Sequence, residues 1–305
     1  MKKHCFCFVC QKGMIEIQAV LLALSLSRHV RCPYEMVVGI PPDRPGKPVM
    51  EILEELKAKM ADIKTPVKNY HYGNKFPLFI KSPGLSEADC YVFLDSDILC
   101  LREFYGIKNM KSHDIGVRMA GCGDFHNKKQ TNQDLIMNPA VWEPIYRSFG
   151  LPVPNERWVE PKTKKPTLPY FNAGFIAVKK GSRFPEKWLE AALKIEQDKN
   201  IDPVYKRPWL DQIAMSIAIR LLKLRCQAMG SEYNSYSKEH GKAIFFHYHR
   251  FENMLRIPRA VSLARDILTG RPRLVEMIRG IRETSGSTAS KKTLNDLQGL
   301  ENLLH

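Results

Sequence analysis

A chain of 305 residues, 44% of them hydrophobic, is long enough to bury one large core, alone or with a small appendage. Its formal net charge of +15 favours phosphorylated or otherwise anionic partners. No RNP-like motif, finger spacing or recognition helix accompanies that charge, which argues against nucleic acid.

Residues 4–10 (HCFCFVC) are predicted to form a first strand and 14–29 a largely apolar helix. A second strand is predicted over 34–40, ending at Pro41-Pro42, then an amphipathic helix over 48–62 with proline in its first turn. A third strand is expected at 66–72 (PVKNYHY), a short helical connection at 74–85, and a fourth strand at 90–95 (CYVFLD). Strands alternating with helices predict an α/β fold with a mostly parallel sheet. Such sheets bind ligands beyond the carboxyl ends of their strands.

Residues 112–121 are expected to form another strand. The stretch 121–169, rich in Pro, Lys, Asn and Trp, is a long irregular insertion of the kind that is usually functional or disordered. Strand signal returns at 169–180, helices at 185–197 and 208–222, and a late strand at 243–249. Residues 259–283 form an Arg-rich amphipathic stretch, 284–292 a linker, and 293–305 a short Leu-rich helix. We therefore expect a main domain at 1–255 and a basic helical extension at 256–305.

Eight cysteines, Cys5, Cys7, Cys10, Cys32, Cys90, Cys100, Cys122 and Cys226, fall mostly in strand-like runs without a secretory signal ahead of them. They predict buried free thiols in a reducing cytoplasm. The longest early apolar run, 17–26, is far shorter than a membrane span.

Chemistry concentrates at CYVFLDSDILC, residues 90–100, where an apolar strand delivers Asp95 and Asp97 either side of Ser96. Residues i and i+2 of a strand share a side. Two carboxylates aimed at one point repel unless a cation joins them, and oxygen ligands suit Mg2+ or Mn2+. Such a cation can bridge a diphosphate as it leaves.

Taken in order, CYVFLDSDILC, PYFNAGFIAVKK, WLDQIAMSI and FFHYHR resemble the motif series of nucleotide-sugar-dependent glycosyltransferases of the GT-A fold. The resemblance runs from roughly residue 4 to 250 and is closest to family 8 retaining enzymes, which include bacterial lipopolysaccharide galactosyl- and glucosyltransferases. It implies a Rossmann-like GT-A domain, a UDP-sugar or related nucleoside-diphosphate-sugar donor, and a glycan or glycolipid acceptor. It further implies that Asp95 and Asp97 hold the metal, with Ser96 between them at the donor. Asn172, Ala173 and Gly174 then line the donor sugar, Gly174 letting backbone approach it. Asp211 and Gln212 stand beside the anomeric carbon, Lys75 contacts the donor, and His247 is the third metal ligand. On a strand His249 points the same way as His247, and is the second choice.

Two family features differ. The expected glycine and K-P-W after the late histidine are replaced by YHRFENML, leaving Arg250 or Arg256 to meet the diphosphate. The acidic signature after the first strand reads CQKGM. Retention needs no strong base; inversion would assign that role to Asp211 or, next, Asp124. Trp142, Tyr146, Trp158 and Tyr170 either stack on acceptor sugars or anchor the insertion. Arg256, Arg259, Arg265, Arg271, Arg273, Arg279 and Arg282, interleaved with Ile267, Leu268, Leu274, Ile278 and Ile281, suit a helix lying on an anionic membrane or docked on its own domain. The competing readings are a sugar-phosphate nucleotidyltransferase and a non-catalytic basic module.

Overall fold

The structure, a computed structural model, describes residues 2–108, 110, 112–121, 138–160, 164–236, 240–285 and 291–304. Its first half comprises β1 (His4–Val9), α1 (Met14–His29), β2 (Tyr34–Ile40), α2 (Lys47–Glu55), β3 (Lys59–Asp62), α3 (Lys75–Leu85), β4 (Cys90–Leu94), β5 (Ile98–Cys100) and β6 (Ile115–Met119). Next come α4 (Trp142–Ser148), the short β7 (Trp158–Val159) and β8 (Pro166–Thr167), and β9 (Phe171–Lys179). The remainder is α5 (Phe184–Gln197), α6 (Pro203–Lys206), α7 (Leu210–Leu221), β10 (Cys226–Ala228), β11 (Phe245–His247), α8 (Phe251–Met254), α9 (Pro258–Thr269), α10 (Pro272–Ser285) and α11 (Lys291–Leu304).

Seven strands form the main sheet in the order β10-β6-β9-β4-β1-β2-β3. β9 runs antiparallel to β4 and β6, and the other neighbours are parallel. All six residues of β1 are buried, as expected of a central strand covered on both faces. Strand alternation divides them between two layers. Phe6 and Phe8 pack with α1, while Cys5 and Cys7 pack beneath α3, α5 and α7. The β11–β5 pair forms a separate antiparallel ribbon beside the carboxyl end of β4.

Three expectations need correction. The helix predicted over 48–62 ends at Glu55, because Lys57 turns left-handed (φ 55°). Ala58 N–H then donates back to Leu53 O and Lys57 N–H to Glu54 O, a helix stop ordinarily signalled by glycine. Residues 59–62 take the third-strand place, and 66–72 is loop leading into a single 3-10 turn at His71–Asn74. The stretch 259–283 is two helices, broken between Thr269 and Pro272. Of the predicted linker, 286–290 lies outside the described residues.

The C-terminal helices dock on the main domain. Ala260, Leu263, Ala264, Ile267 and Leu268 of α9, Leu274 and Ile278 of α10, and Leu300 and Leu303 of α11 join the same core as α1. Arg271 and Arg273 pair with Glu55 and Glu51 of α2 (2.8 and 3.4 Å). The apolar side expected to meet a membrane thus faces protein. No described helix is long and apolar enough to cross a membrane. The seven described cysteines are free thiols.

Glu35 on β2 ties three segments together. It sits between Lys3 and Lys59 (2.9 and 3.1 Å), and Ser86 Oγ donates to it at 2.6 Å. Burial alone would raise its carboxyl, but Ser86, Lys3 and Lys59 outweigh burial and lower it from 4.5 to about 2. A depressed carboxyl contributes stability that is complete above its unfolded value and lost as pH falls through the folded one. Glu35→Gln is therefore expected to cost about 1–2 kcal/mol at neutral pH and almost nothing near pH 2, measured by urea unfolding at both pH values.

Candidate active site

The site is built on the turn between β4 and β5. Asp95 N–H donates to Gly174 O of β9 (2.9 Å), and Tyr248 N–H, just past β11, donates to Asp97 O (3.1 Å). Ser96 Oγ donates to Val9 O at the end of β1 (2.6 Å). Three strands thereby fix the turn beyond the sheet's carboxyl end, and Ser96 serves as a staple.

His247 Nε2 lies 3.0 Å from Asp97 Oδ1 and 4.0 Å from Asp95 Oδ2. His249 Nδ1 lies 4.0 Å from Asp97 Oδ2. The candidate ligand atoms of Asp97, His247 and His249 fall within 4.8 Å of one another, a cluster able to hold a divalent cation. Both histidines approach Asp97. His249 does so through a left-handed backbone (φ 58°), because β11 already ends at His247. Tyr236 stacks on the His249 ring, with centroids 5.3 Å apart.

Lys75 is 4% exposed, buried between Asp211 Oδ2 (2.7 Å) and Asp95 Oδ1 (3.1 Å). The Tyr70 hydroxyl donates to Asp211 Oδ1 (2.8 Å) and accepts the Asp211 N–H (3.0 Å). Trp188 Nε1 donates to Asp211 O (2.7 Å). Burial would lower the Lys75 ammonium, but Asp211 and Asp95 raise it above its ordinary range. Burial, only partly offset by Lys75, raises Asp95. Asp97 is also buried, yet the charge and hydrogen bond of His247 hold it well below the carboxylate range. Asp95 and Asp211 thus converge on one ammonium, with two imidazoles against Asp97.

Gly174 carries a steric constraint from a neighbouring strand, β11. A Cβ there would meet His247 Cε1 at 2.7 Å and Nδ1 at 2.8 Å, so the missing side chain makes room for the His247 ring. Asn172 Oδ1 accepts the Gly174 N–H (2.8 Å) and Asn234 Nδ2 (2.7 Å). The Ala173 side chain is in the core, 1% exposed. Gln212 is 8% exposed beside Asp211 at the start of α7. Arg250 pairs with Glu252 at 3.7 Å, while Arg256 is exposed beyond α8.

Stacking of the insertion's aromatics on acceptor sugars is overturned for three of them. Trp142, Tyr146 and Tyr170 are at most 1% exposed and belong to the core. Trp158 is half-buried and packs edge-on against Phe171. Asp124 lies outside the described residues. Sequence reading missed Tyr70, hidden in a stretch misread as strand, and Asn234, which stands in no motif.

The model of the Rhodobacterales glycosyltransferase domain matches residues 6–223. The chain belongs to this family and is a glycosyltransferase. The match takes in Lys75, the Asp95–Asp97 turn, Asn172–Gly174 and Asp211–Gln212, and it ends before His247 and His249. Among solved structures, apo mouse xyloside xylosyltransferase 1 is similar at 12% identity over 81% of this chain and 97% of that one, with a TM-score of 0.44. The apo bifunctional glycosyltransferase WbbM is similar at 12% identity over 86% of this chain and 51% of that one, with a TM-score of 0.49. No curated protein sequence matches.

Removing one partner of a buried ion network leaves its counter-charge stranded. Lys75→Met is accordingly expected to destabilise the fold by about 3–5 kcal/mol in urea unfolding. A loss below about 1 kcal/mol would show that Asp95 and Asp211 are solvated without their ammonium.

Proposed function

We propose that the protein is a metal-dependent GT-A glycosyltransferase that moves a sugar from a nucleoside-diphosphate sugar, a UDP-sugar, to a glycan or glycolipid acceptor with retention of configuration. The observation that carries this reading is the convergence of Asp97, His247 and His249 within 4.8 Å, with Asp95 4.0 Å from His247. Two imidazoles with one carboxylate suit Mn2+ better than Mg2+, which prefers an all-oxygen shell. Asp97, His247 and His249 would hold the ion, with Asp95 alongside. When bound, it supplies positive charge for the departing diphosphate.

The remaining roles follow from where the side chains sit. Lys75 places a fixed positive charge next to Asp95, where it would meet the donor. Asp211 is a poor candidate for a general base. It is 4% exposed, and its two oxygens are taken by Lys75 and Tyr70. Asp95 is likewise tied to Lys75. Without an outward-facing base among these groups, the leaving diphosphate is the remaining acceptor for the incoming hydroxyl's proton, which is the retaining course. The Gln212 amide oxygen then stabilises the positive anomeric carbon, and Asp211 holds Lys75 in register.

Two measurements test the reading. Calorimetry of UDP and GDP with Mn2+ or with EDTA should show at least about tenfold weaker binding in EDTA, and Asp97→Asn should abolish the difference. Equal affinity in both would overturn the metal bridge. The product's anomeric NMR coupling should match the donor's configuration; inversion would hand the base role to a carboxylate.

A further inference from the structure

We infer that Asn234 is a positioning residue which sets the tautomer of His247, and that Asn172 sets Asn234 in turn. The inference rests on the reading of Asp97, His247 and His249 as a metal site, and it assigns the Y-F-N-A-G segment a task at the metal rather than at the sugar alone.

The argument is one of hydrogen-bond polarity. A backbone N–H can only donate. Gly174 N–H points at the Asn172 side chain at 2.8 Å, so the atom facing it must be the amide oxygen. Asn234 approaches that same oxygen at 2.7 Å and must do so with its NH2 group. The Asn234 oxygen is thereby turned the other way, 2.7 Å from His247 Nδ1. An amide oxygen cannot donate, so Nδ1 must carry the proton. Asp97 Oδ1, 3.0 Å from Nε2, is also an acceptor, so without a cation Nε2 carries a proton as well; a cation would displace that proton and take the Nε2 lone pair, while Asn234 keeps the proton on Nδ1. Flipping either amide would set oxygen against oxygen or NH2 against N–H. A single backbone donor on β9 therefore dictates, through two amides, which face of His247 is ready to bind a cation.

The surroundings hold this relay rigidly. Asn234 is fully buried and left-handed (φ 62°), a conformation that asparagine tolerates better than most residues. Its carbonyl accepts from the Arg118 guanidinium, which lies 4.8 Å from the Tyr236 ring. His247 N–H donates to the carbonyl of the adjacent Ser235 (2.8 Å), fixing ring and amide to the same stretch of backbone. Gly174 completes the fit, since any Cβ would displace the ring. A partner that orients a metal-binding imidazole through its second nitrogen is typically worth 10–100-fold in metal affinity.

The test uses Asn234→Gly, Asn172→Ala and the double variant. Glycine removes both hydrogen bonds of the Asn234 amide, to His247 and to Asn172, while accepting the left-handed backbone. Mn2+ affinity is measured by calorimetry without donor, and thermal unfolding is followed in parallel. Asn234→Gly should weaken Mn2+ binding about 10–100-fold, Asn172→Ala by less, and the double variant no more than Asn234→Gly. Multiplying losses would show independent sites and overturn the relay. Long-range 1H–15N NMR of the metal-free protein at alkaline pH reads the tautomer directly: Nδ1–H toward Asn234 in the wild type, Nε2–H toward Asp97 in Asn234→Gly. An Nε2–H wild type, or an unchanged ring and unchanged affinity in Asn234→Gly, overturns the inference. A wild type that shows Nδ1–H but binds no Mn2+ would instead remove the metal reading while leaving Asn234 as the residue that orients His247.

Discussion

An ammonium group withdrawn from water must be paired, and Lys75 is paired twice, with Asp95 and Asp211. Those partners come from distant parts of the chain: the turn after β4 and the first turn of α7. The lysine itself opens α3. One buried charge thus brings a strand end and two helix starts to a single point, and Tyr70 closes the far side of Asp211. Such networks confer little net stability, but they allow few alternative arrangements. Here the arrangement leaves Asp97 facing His247 and His249.

The second organising element is β9. Within the seven-stranded sheet it is the strand that runs antiparallel to its neighbours, and through it the sheet addresses both halves of the site. Gly174 O receives the Asp95 N–H, and the space where its side chain would stand receives the His247 ring. A glycine mid-strand ordinarily weakens a sheet. Here it lets β11 and the aspartate turn approach the same backbone.

The basic character of the chain also acquires a location. Part of it is spent within the fold, as Arg271 and Arg273 paired to α2 and as Lys75 in the site. The C-terminal helices bury their apolar residues against α1, so the amphipathic pattern at 259–283 reflects docking. Pattern alone cannot separate these outcomes, because an apolar stripe records that something covers it without recording what.

The local signals in the sequence were sufficient for much of the architecture. Apolar runs fixed β1, β2, β4 and β9, helical periodicity fixed α1, α5 and α7, and Asp95 and Asp97 fell beyond a strand end because alternation and length put them there. These properties depend on near neighbours in the chain. Lys57 in a left-handed stop, Tyr70 in a loop that reads as strand, and the burial of Trp142, Tyr146 and Tyr170 depend on what packs from elsewhere. So does the role of Gly174, whose missing Cβ is matched to a ring that lies 73 residues further along, at position 247. Hydrogen-bond direction is the extreme case. The sequence contains Asn172, Asn234 and His247, but no local pattern states which atom of each faces which. Only the tertiary structure decides that, because an amide or imidazole takes its orientation from the donors and acceptors that folding sets against it.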